Sequence, residues 1–285
     1  MSYLKELHVA HSDFFSLVDV WNPEQLPSAR IFDDVVMCAT VGCSCFVINT
    51  GEGLILLDAM LPIDACYDNI VGAVKSAGWD INDLKMIFIT HGHFDHTGVA
   101  ARLKNETGAK IYFPKGDYEM WGSESNVLRT RGNIEKRGVD IPPVEADFEA
   151  DVFLNDGDEV TLGHTTIKCT ATPGHTKGCM TYILPVYDLG KRHMAVMPGG
   201  TLPQKTVEEI TEQMRSIELL KKLADEFSID VELSNHHPLG CGEVKMELCR
   251  RRMTHIPNPF VIGTSGIHSA LDEYKKLCEV FMAQL

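Results

Sequence analysis

Four side chains of the kinds that bind metal ions follow directly after an apolar segment of the chain. Residues 86–89, with the sequence MIFI, are typical of a buried strand, and they lead into the segment HGHFDHTG. The four side chains in that segment are His91, His93, Asp95 and His96. Imidazole and carboxylate groups on one rigid turn suit zinc. The two alternating histidines can converge on one ion while Asp95 and His96 turn towards another, so the run predicts a metal site at the end of a strand.

A tetrahedral metal site needs more ligands than this run supplies, so further histidines are expected at the ends of other strands. His175 lies in the glycine-flanked turn TPGHTKG between two predicted strands, and His236 and His237 follow a third strand. Taken alone, His175 can be a turn residue that is hydrogen-bonded to the backbone. The presence of the run that begins at His91 favours a role for His175 as a metal ligand. Adjacent residues of an extended chain point in opposite directions, so one of His236 and His237 is expected to face the metals.

The composition predicts one globular domain over residues 1–285. Apolar residues make up 44% of the chain and charged residues 23%, which suits a chain with a sizeable core. A formal net charge of -14 repels nucleic acid and anionic membranes. No segment reaches the roughly 18 apolar residues of a membrane span, and no signal sequence is visible. We therefore expect a cytoplasmic protein, in which most of the nine scattered cysteines are reduced.

Strands and helices are predicted in two stretches with a similar plan. The predicted strands cover residues 35–37, 45–48, 54–57, 86–89, 110–113, 159–162, 166–170, 180–185, 193–197 and 229–233. The predicted helices cover residues 62–78, 99–108, 117–121 and 207–224, with a C-terminal helix marked by Ile267, Leu271, Tyr274, Cys278 and Phe281. The polar segment 123–147 contains Pro142 and Pro143, which predicts a long surface connection.

Together these motifs resemble the metallo-β-lactamase superfamily over nearly the whole chain. The H-x-H-x-D-H run, the Pro-Gly-His-Thr turn and the late histidine carry the resemblance. It implies an α/β fold, an αββα sandwich of two mixed sheets flanked by helices, with a metal site along one sheet edge. The ligands that it implies form two sets. They are His91, His93 and His175 for a first Zn²⁺ ion, and Asp95, His96 and either His236 or His237 for a second.

One departure from the family pattern indicates which branch of the superfamily the chain resembles. Lactonases, glyoxalase II enzymes and persulfide dioxygenases of this superfamily carry a metal-bridging aspartate after the strand that follows the third histidine. Here the strand at 194–197 continues into Pro-Gly-Gly-Thr, so no aspartate is available. The ligand set, like residues 258–261, resembles instead the B3 β-lactamase subclass. In that subclass the histidine of a Ser-Asn-His sequence after the final strand binds the second zinc, and the corresponding residue here is His236. An alignment on the His-Pro pair selects His237 as the ligand instead. We favour His236.

The reaction implied by zinc is hydrolysis, because a zinc ion lowers the pKa of the water it binds to about 7. Asp95 is expected to orient that water and carry a proton to the leaving group. Asp58, at the end of a strand, either accepts a hydrogen bond from a ligating imidazole or caps a turn. Thr201 lies where related enzymes approach substrate. Cys179 and Cys241 are near proposed ligands, but buried apolar packing is favoured for both.

The sequence therefore predicts a zinc-dependent hydrolase that acts on a small-molecule cyclic amide, ester or related bond. A lactonase or thioesterase and a metal-dependent oxidoreductase of the same fold are the alternatives. Iron-binding relatives use a glutamate in place of His93 or the bridging aspartate that is missing here, which argues against an oxidoreductase. We expect no nucleic-acid or membrane partner and an intracellular metabolite as the main substrate. The oligomeric state is not predicted.

Overall fold

Two β-sheets lie at the centre of the protein, in a computed structural model that describes residues 19, 21–136 and 148–285. The first sheet has seven strands in the order of the chain, and the second has five in the order β12-β11-β10-β9-β8. The first consists of β1 (Gln25–Phe32), β2 (Val35–Thr40), β3 (Ser44–Asn49), β4 (Leu54–Leu57), β5 (Leu84–Phe88), β6 (Lys110–Pro114) and β7 (Val152–Leu154). The second consists of β8 (Glu159–Leu162), β9 (Thr165–Ala171), β10 (Met180–Asp188), β11 (Lys191–Met197) and β12 (Val231–Glu232).

Both sheets are mixed. Strands β1 to β4 pair antiparallel and β4 to β7 pair parallel. In the second sheet β8 to β11 are antiparallel, while β12 pairs parallel to β11. Parallel neighbours end at the same edge of a sheet, and this brings the loops that follow β4 and β5 side by side. The loops that follow β11 and β12 are adjacent in the same way.

Helices cover the outer faces of the sheets. They are α1 (Asp64–Ser76), α2 (Phe94–Thr97), α3 (Ala100–Thr107), α4 (Tyr118–Trp121), α5 (Glu124–Glu135), α6 (Val207–Glu226), α7 (Gly242–Arg251) and α8 (Gly263–Met282). One apolar cluster joins α1 and α3 to the first sheet, a second lies between the sheets, and a third joins α6 and α8 to the second sheet. The predicted αββα sandwich is confirmed. Within the described residues, no helix combines the length and apolar content that crossing a membrane requires.

Ten of the twelve strands in the described residues, and the two long helices, follow the predicted pattern of apolar residues. The elements β1, β7, α2 and α7 were not predicted. Every residue of β2 and β4 is buried, as expected for strands covered on both faces. The five residues that mark the apolar stripe of α8 are all buried. In the apolar stripe of α6, Val207 in the first turn is 58% exposed and Met214 is half-buried. The other members are buried, namely Ile210, Ile217, Leu220 and Ala224.

The prediction of a long surface connection over 123–147 is wrong for its first half. Residues 124–135 form α5, and residues 137–147 lie outside the described part of the chain. This helix has a weak apolar pattern because it packs partly through polar side chains. Asn126 is 4% exposed and Thr130 is fully buried, and the Thr130 hydroxyl donates to the Asn126 carbonyl at 2.9 Å. A prediction based on apolar periodicity misses such a helix.

Candidate metal centre

The predicted ligands are carried by three loops at the edge where the two sheets meet. They are His91 and His93 after β5, Asp95 and His96 in α2, His175 between β9 and β10, and His236 after β12. Backbone hydrogen bonds connect the loops. The amide of Met180 donates to the carbonyl of Thr90 at 2.8 Å, and the amide of Ser44 donates to the carbonyl of Asn235 at 2.8 Å. The positions of the ligands are therefore set by contacts within and between the sheets.

His91, His93 and His175 form a first group of buried imidazoles. The Nδ1 atom of His93 lies 3.2 Å from Nε2 of His91 and 3.1 Å from Nε2 of His175. Ligand atoms bound tetrahedrally to zinc at 2.0–2.1 Å are about 3.3 Å apart, which is close to these separations. Burial lowers the pKa of His175 to about 3, and it keeps the pKa of His91 well below the usual value. Neutral imidazole is the form that binds metals, so the group fits an ion.

Asp95, His96 and His236 form a second group. The Oδ2 atom of Asp95 lies 3.4 Å from Nε2 of His96 and 3.6 Å from Nε2 of His236. In the described part of the chain, Asp95 Oδ1 and His96 Nε2 are buried and have no hydrogen-bond partner. Buried polar atoms without partners are costly, and an ion shared by the group satisfies both. The three ligand atoms of each group lie within 4.8 Å of one another.

The second group is more highly charged than the first. Burial works against a charge on His96, but Asp95 and Asp58 offset it and raise the pKa of His96 to about 10. Burial also works against ionisation of Asp95, yet the imidazoles of His96 and His236 hold its pKa well below the usual value. Two buried carboxylates therefore require a cation beside them. A metal ion held by Asp95, His96 and His236 meets that requirement.

Asp58 contacts a proposed ligand directly. Its Oδ2 atom lies 2.9 Å from Nδ1 of His96, and its Oδ1 atom accepts a 2.7 Å hydrogen bond from the amide of Thr90. A proton on Nδ1 of His96 leaves Nε2 free to face Asp95, which is the role that outer carboxylates have around metal-bound histidines. The sequence left two interpretations of Asp58 equally open, and the structure places this side chain on the imidazole.

The side chains of the two adjacent histidines, His236 and His237, point in opposite directions. His236 faces Asp95, and its Nδ1 atom donates to the carbonyl of Gly42 at 3.0 Å. His237 points the other way, where its Nε2 atom donates to the carbonyl of Thr40 at 2.7 Å. This geometry supports the choice of His236 as the ligand.

Asp117 is a residue of the site that the sequence analysis missed. Its carboxylate is buried between two ligand-bearing loops. Oδ2 accepts hydrogen bonds from the Gly92 amide at 2.9 Å and the Thr176 hydroxyl at 2.6 Å, and Oδ1 accepts one from the Gly178 amide at 2.6 Å. Gly92 lies between two ligands of the first group, and Thr176 follows the third. The only sequence signal was an acidic residue shortly after β6, which by itself does not indicate a role.

A cavity of about 110 Å³ opens onto both groups. Four of the six proposed ligands form part of its wall, and residues 202–205 after β11 form another part, together with Trp21 and Arg129. Thr201 does not line this cavity. Its side chain is buried, and its hydroxyl has no partner among the described residues.

Neither of the two nearby cysteines lines the cavity. Cys179 is buried, as favoured from the sequence, and burial raises the pKa of its thiol. Cys241 is exposed, so the expectation of buried packing is wrong for it. It is held at the surface by its position between a 3₁₀ turn and α7, where its φ angle is 55°.

The fold and the paired ligand groups define a class of protein. Residues 39–189 match the family model of the metallo-beta-lactamase superfamily, and the chain belongs to this superfamily. Among solved structures it is similar to BJP-1, a subclass B3 metallo-beta-lactamase of Bradyrhizobium japonicum. The identity is 26% and the TM-score 0.70, over 92% of this chain and 98% of that one. It is also similar to the FEZ-1 metallo-beta-lactamase of Legionella gormanii, with 24% identity and a TM-score of 0.76 over 92% and 97%.

A curated relative carries a different name. The hydroxyacylglutathione hydrolase of Brucella anthropi is 30% identical over 155 residues, which cover 53% of this chain and 46% of the relative. The chain spans about half the length of the curated relatives that it matches first. These similarities establish the family and the fold, and the relatives named here are hydrolases.

Proposed function

We propose that this protein is a zinc-dependent hydrolase that opens a cyclic amide, ester or related acyl bond of a small molecule. The observation that carries the proposal is the pair of three-residue groups bordering one cavity, each group complete without a shared carboxylate. Zinc fits the histidine-rich ligand sets better than magnesium or calcium, which prefer oxygen ligands. The group that joins Asp95 to two imidazoles is the distinctive part of this arrangement.

Zinc bound by these residues would supply a water molecule of lowered pKa and a positive charge that polarises a carbonyl oxygen. The chain's own residues do the rest. Asp95 borders the cavity, where its carboxylate is placed to accept a proton and pass it to the leaving group. Asp58 holds the ring of His96 in place from behind. The loop 202–205 and Trp21 restrict the volume above the ligands and so limit access of bulk water.

The loop after β11 argues against a metal-bridging aspartate. A side chain at Gly199 would place Cβ 2.5 Å from the carbonyl oxygen of Met180, and one at Gly200 would place it 2.5 Å from Cβ of His175. Both separations are too short for real atoms, so neither position can carry an aspartate unless the backbone moves. Because the glyoxalase II enzymes of the superfamily carry that aspartate, its absence here supports cyclic amides over thioesters as substrates. A thioester remains the second candidate because curated relatives are named hydroxyacylglutathione hydrolase.

Metal analysis and a substrate panel test this proposal together. The purified protein is assayed for zinc per chain and then offered a β-lactam, a lactone, a thioester and a phosphodiester. We expect up to two zinc ions per chain, and turnover of a lactam or a lactone that a chelator removes and zinc restores. A protein that contains no zinc after loading, or that cleaves only the phosphodiester, would contradict the proposal.

We also propose a cytoplasmic location and a small-molecule partner. All nine cysteines are free and seven of them are buried, which suits a reducing compartment. The net charge of -14 opposes binding to nucleic acid. Cell fractionation with antibody detection tests the location, and recovery of the native protein from outside the cytoplasm would contradict it.

A further inference from the structure

A second cavity, of about 550 Å³, lies at the edge of the sheets opposite the metal-binding groups. Its wall is formed by turns of both sheets and by the end of β10, and the wall residues are Asp33, Asp34, Asn49, Gly51, His164 and Tyr187. The turns precede β2, β4 and β9, whereas the proposed ligands follow β5, β9 and β12. The described wall contains two aspartates and no lysine or arginine. The charge of this wall therefore favours a cation.

Asp34 places a buried carboxylate at this cavity, since its side chain is only 9% exposed. The Oδ1 atom accepts a hydrogen bond from the amide of Tyr187 at 3.2 Å, but Oδ2 is buried and has no hydrogen-bond partner among the described residues. Burial raises the pKa of this carboxyl, while the amide of Tyr187 and the ring of His164 act in the opposite direction. A buried carboxylate oxygen without a partner is costly, and a cation beside it offsets that cost.

The imidazole of His164 faces that oxygen across a gap. Its Nε2 atom lies 3.6 Å from Oδ2 of Asp34, which is too long for a hydrogen bond. The same two kinds of atom are also 3.6 Å apart in the second ligand group, between Asp95 and His236. Two atoms bound tetrahedrally to zinc at about 2.0–2.2 Å are roughly 3.3–3.6 Å from each other. Asp34 and His164 therefore have the spacing of two ligands that share an ion.

Backbone hydrogen bonds hold both residues against the turn between β3 and β4. The amide of His164 donates to the carbonyl of Thr50 at 3.0 Å, and the amide of Asn49 donates to the carbonyl of Asp34 at 2.8 Å. The ring of His164 packs edge-on against the ring of Tyr187, with 5.7 Å between the ring centres. The side chain of His164 is 45% exposed, so an ion can reach the gap from solvent. The fold thus sets the spacing of the two side chains and leaves one side of the gap open.

We propose that Asp34 and His164 bind a divalent transition-metal ion such as Zn²⁺, at a peripheral site separate from the two ligand groups. A carboxylate oxygen combined with an imidazole nitrogen suits zinc, whereas magnesium and calcium prefer oxygen ligands alone. The open cavity gives water molecules room to fill the remaining coordination positions. With two protein ligands instead of three, the site binds zinc more weakly than either ligand group. The ion links a turn of the first sheet to a turn of the second.

The test measures zinc binding rather than turnover. Equilibrium dialysis of the zinc-loaded protein, followed by metal analysis, counts the ions bound beyond those of the two ligand groups. We expect one further zinc ion per chain, which excess magnesium does not displace. In Asp34→Asn the affinity for this ion should fall by at least about tenfold, the loss known even for residues that only support a ligand. Asparagine keeps Oδ1, so the hydrogen bond from the Tyr187 amide is retained. His164→Ala should weaken the same ion by a similar factor.

His255→Ala is the matched control. His255 is exposed and belongs neither to this cavity nor to the ligand groups, so its loss removes an imidazole without removing a proposed ligand. Its affinity for the additional ion should equal that of the unaltered protein. Thermal unfolding gives a second readout, because an ion bound only by the folded protein stabilises it. Excess zinc should raise the melting temperature of the loaded protein and of His255→Ala, but not that of Asp34→Asn or His164→Ala.

Two results overturn the inference. One is the absence of any additional zinc ion at concentrations well above those that fill the two ligand groups. The other is an additional ion whose affinity is unchanged in Asp34→Asn and His164→Ala while circular dichroism shows that both are folded, because that ion is then adventitious and bound elsewhere. Neither result bears on the proposed hydrolase activity, which depends on the ions of the two ligand groups. The two proposals can therefore fail separately.

Discussion

The two ligand groups border one cavity but differ in how they are stabilised. The first consists of three imidazoles, and burial keeps the pKa of His175 at about 3. The second contains Asp95 and has the carboxylate of Asp58 behind it, and these two charges outweigh burial and raise the pKa of His96 to about 10. The first group therefore depends on how the loops are positioned. The second depends on charge balance, with a proton or a metal ion supplying the positive charge.

The carboxylate that makes the most direct contact also differs between the two groups. Asp117 joins the loops of the first group through backbone amides and a hydroxyl and does not touch an imidazole. Asp58 touches the imidazole of His96. Substitutions in one group should therefore leave the other largely intact, and the predictions below test this independence.

The largest effect is expected for Asp95→Asn. An amide cannot accept the proton that Asp95 is proposed to carry, and it removes the negative charge from the second group. We expect turnover to fall by roughly 10²–10⁴-fold, the usual contribution of a general acid or base. The first zinc should remain bound, which metal analysis of the purified variant would show. Asp64→Asn is the control because 89% of that side chain is exposed. Near-normal turnover of Asp95→Asn would remove this residue from the mechanism.

The variants His236→Ala and His237→Ala test which of the two adjacent histidines binds the second zinc. Loss of His236 should weaken the second zinc by at least the roughly tenfold seen for outer partners, while the first zinc is retained. Loss of His237 should leave both sites occupied, because its Nε2 atom bonds to the carbonyl of Thr40. Titration of each variant with zinc gives the two affinities. The reverse pattern would select the His-Pro alignment and show that the assignment of His236 is wrong.

Asp117→Asn should weaken the first group more than the second. The amide nitrogen of asparagine cannot accept a hydrogen bond, so one loop loses part of its attachment. We expect the affinity for the first zinc to fall by about tenfold, within the range reported for residues that support ligands. Thr176→Val removes one of the three hydrogen bonds and should have a smaller effect. Equal weakening of both zinc sites by Asp117→Asn would contradict the independence of the groups.

The smallest change is expected in the fold itself when the metal is removed. Three buried apolar clusters hold the two sheets and their helices together without any metal ligand. A chelator should lower the melting temperature, since ligand present at a thousand times its Kd contributes about 4 kcal/mol. The far-ultraviolet circular dichroism spectrum should stay close to that of the loaded protein. Complete unfolding under mild chelation would show that metal binding is needed for folding.

Much of the fold was predictable because apolar residues repeat clearly along most strands and long helices. The family, its αββα sandwich and the buried stripe of α8 all follow from such patterns or from the motif that begins at His91. The structure brings the six proposed ligands together at one edge, and it distinguishes His236 from His237 by their contacts. Sequence spacing alone left those two histidines undecided.

Helix α5, Arg129 and Asp117 escaped prediction because their roles depend on tertiary contacts of polar side chains. Helix α5 packs partly through Asn126 and Thr130, so its apolar pattern is weak. Arg129 lies at the cavity only because that helix forms, and Asp117 acts through loops that are distant in the sequence. None of these residues has a local spacing that indicates its role. Their contacts become visible only when the chain is folded.

The separation of the ligands along the chain has a consequence for biosynthesis. His91 and His96 leave the ribosome well before His175, and His236 is made last. At roughly 5–20 residues per second, about 7–30 s pass between the first ligand and the last. During that interval the early run has no partner from the second sheet, and any zinc that it captures is held by an incomplete set of ligands. Metal acquired then must be bound again in a new geometry once β12 joins β11, so loading after release of the finished chain is the simpler order of events.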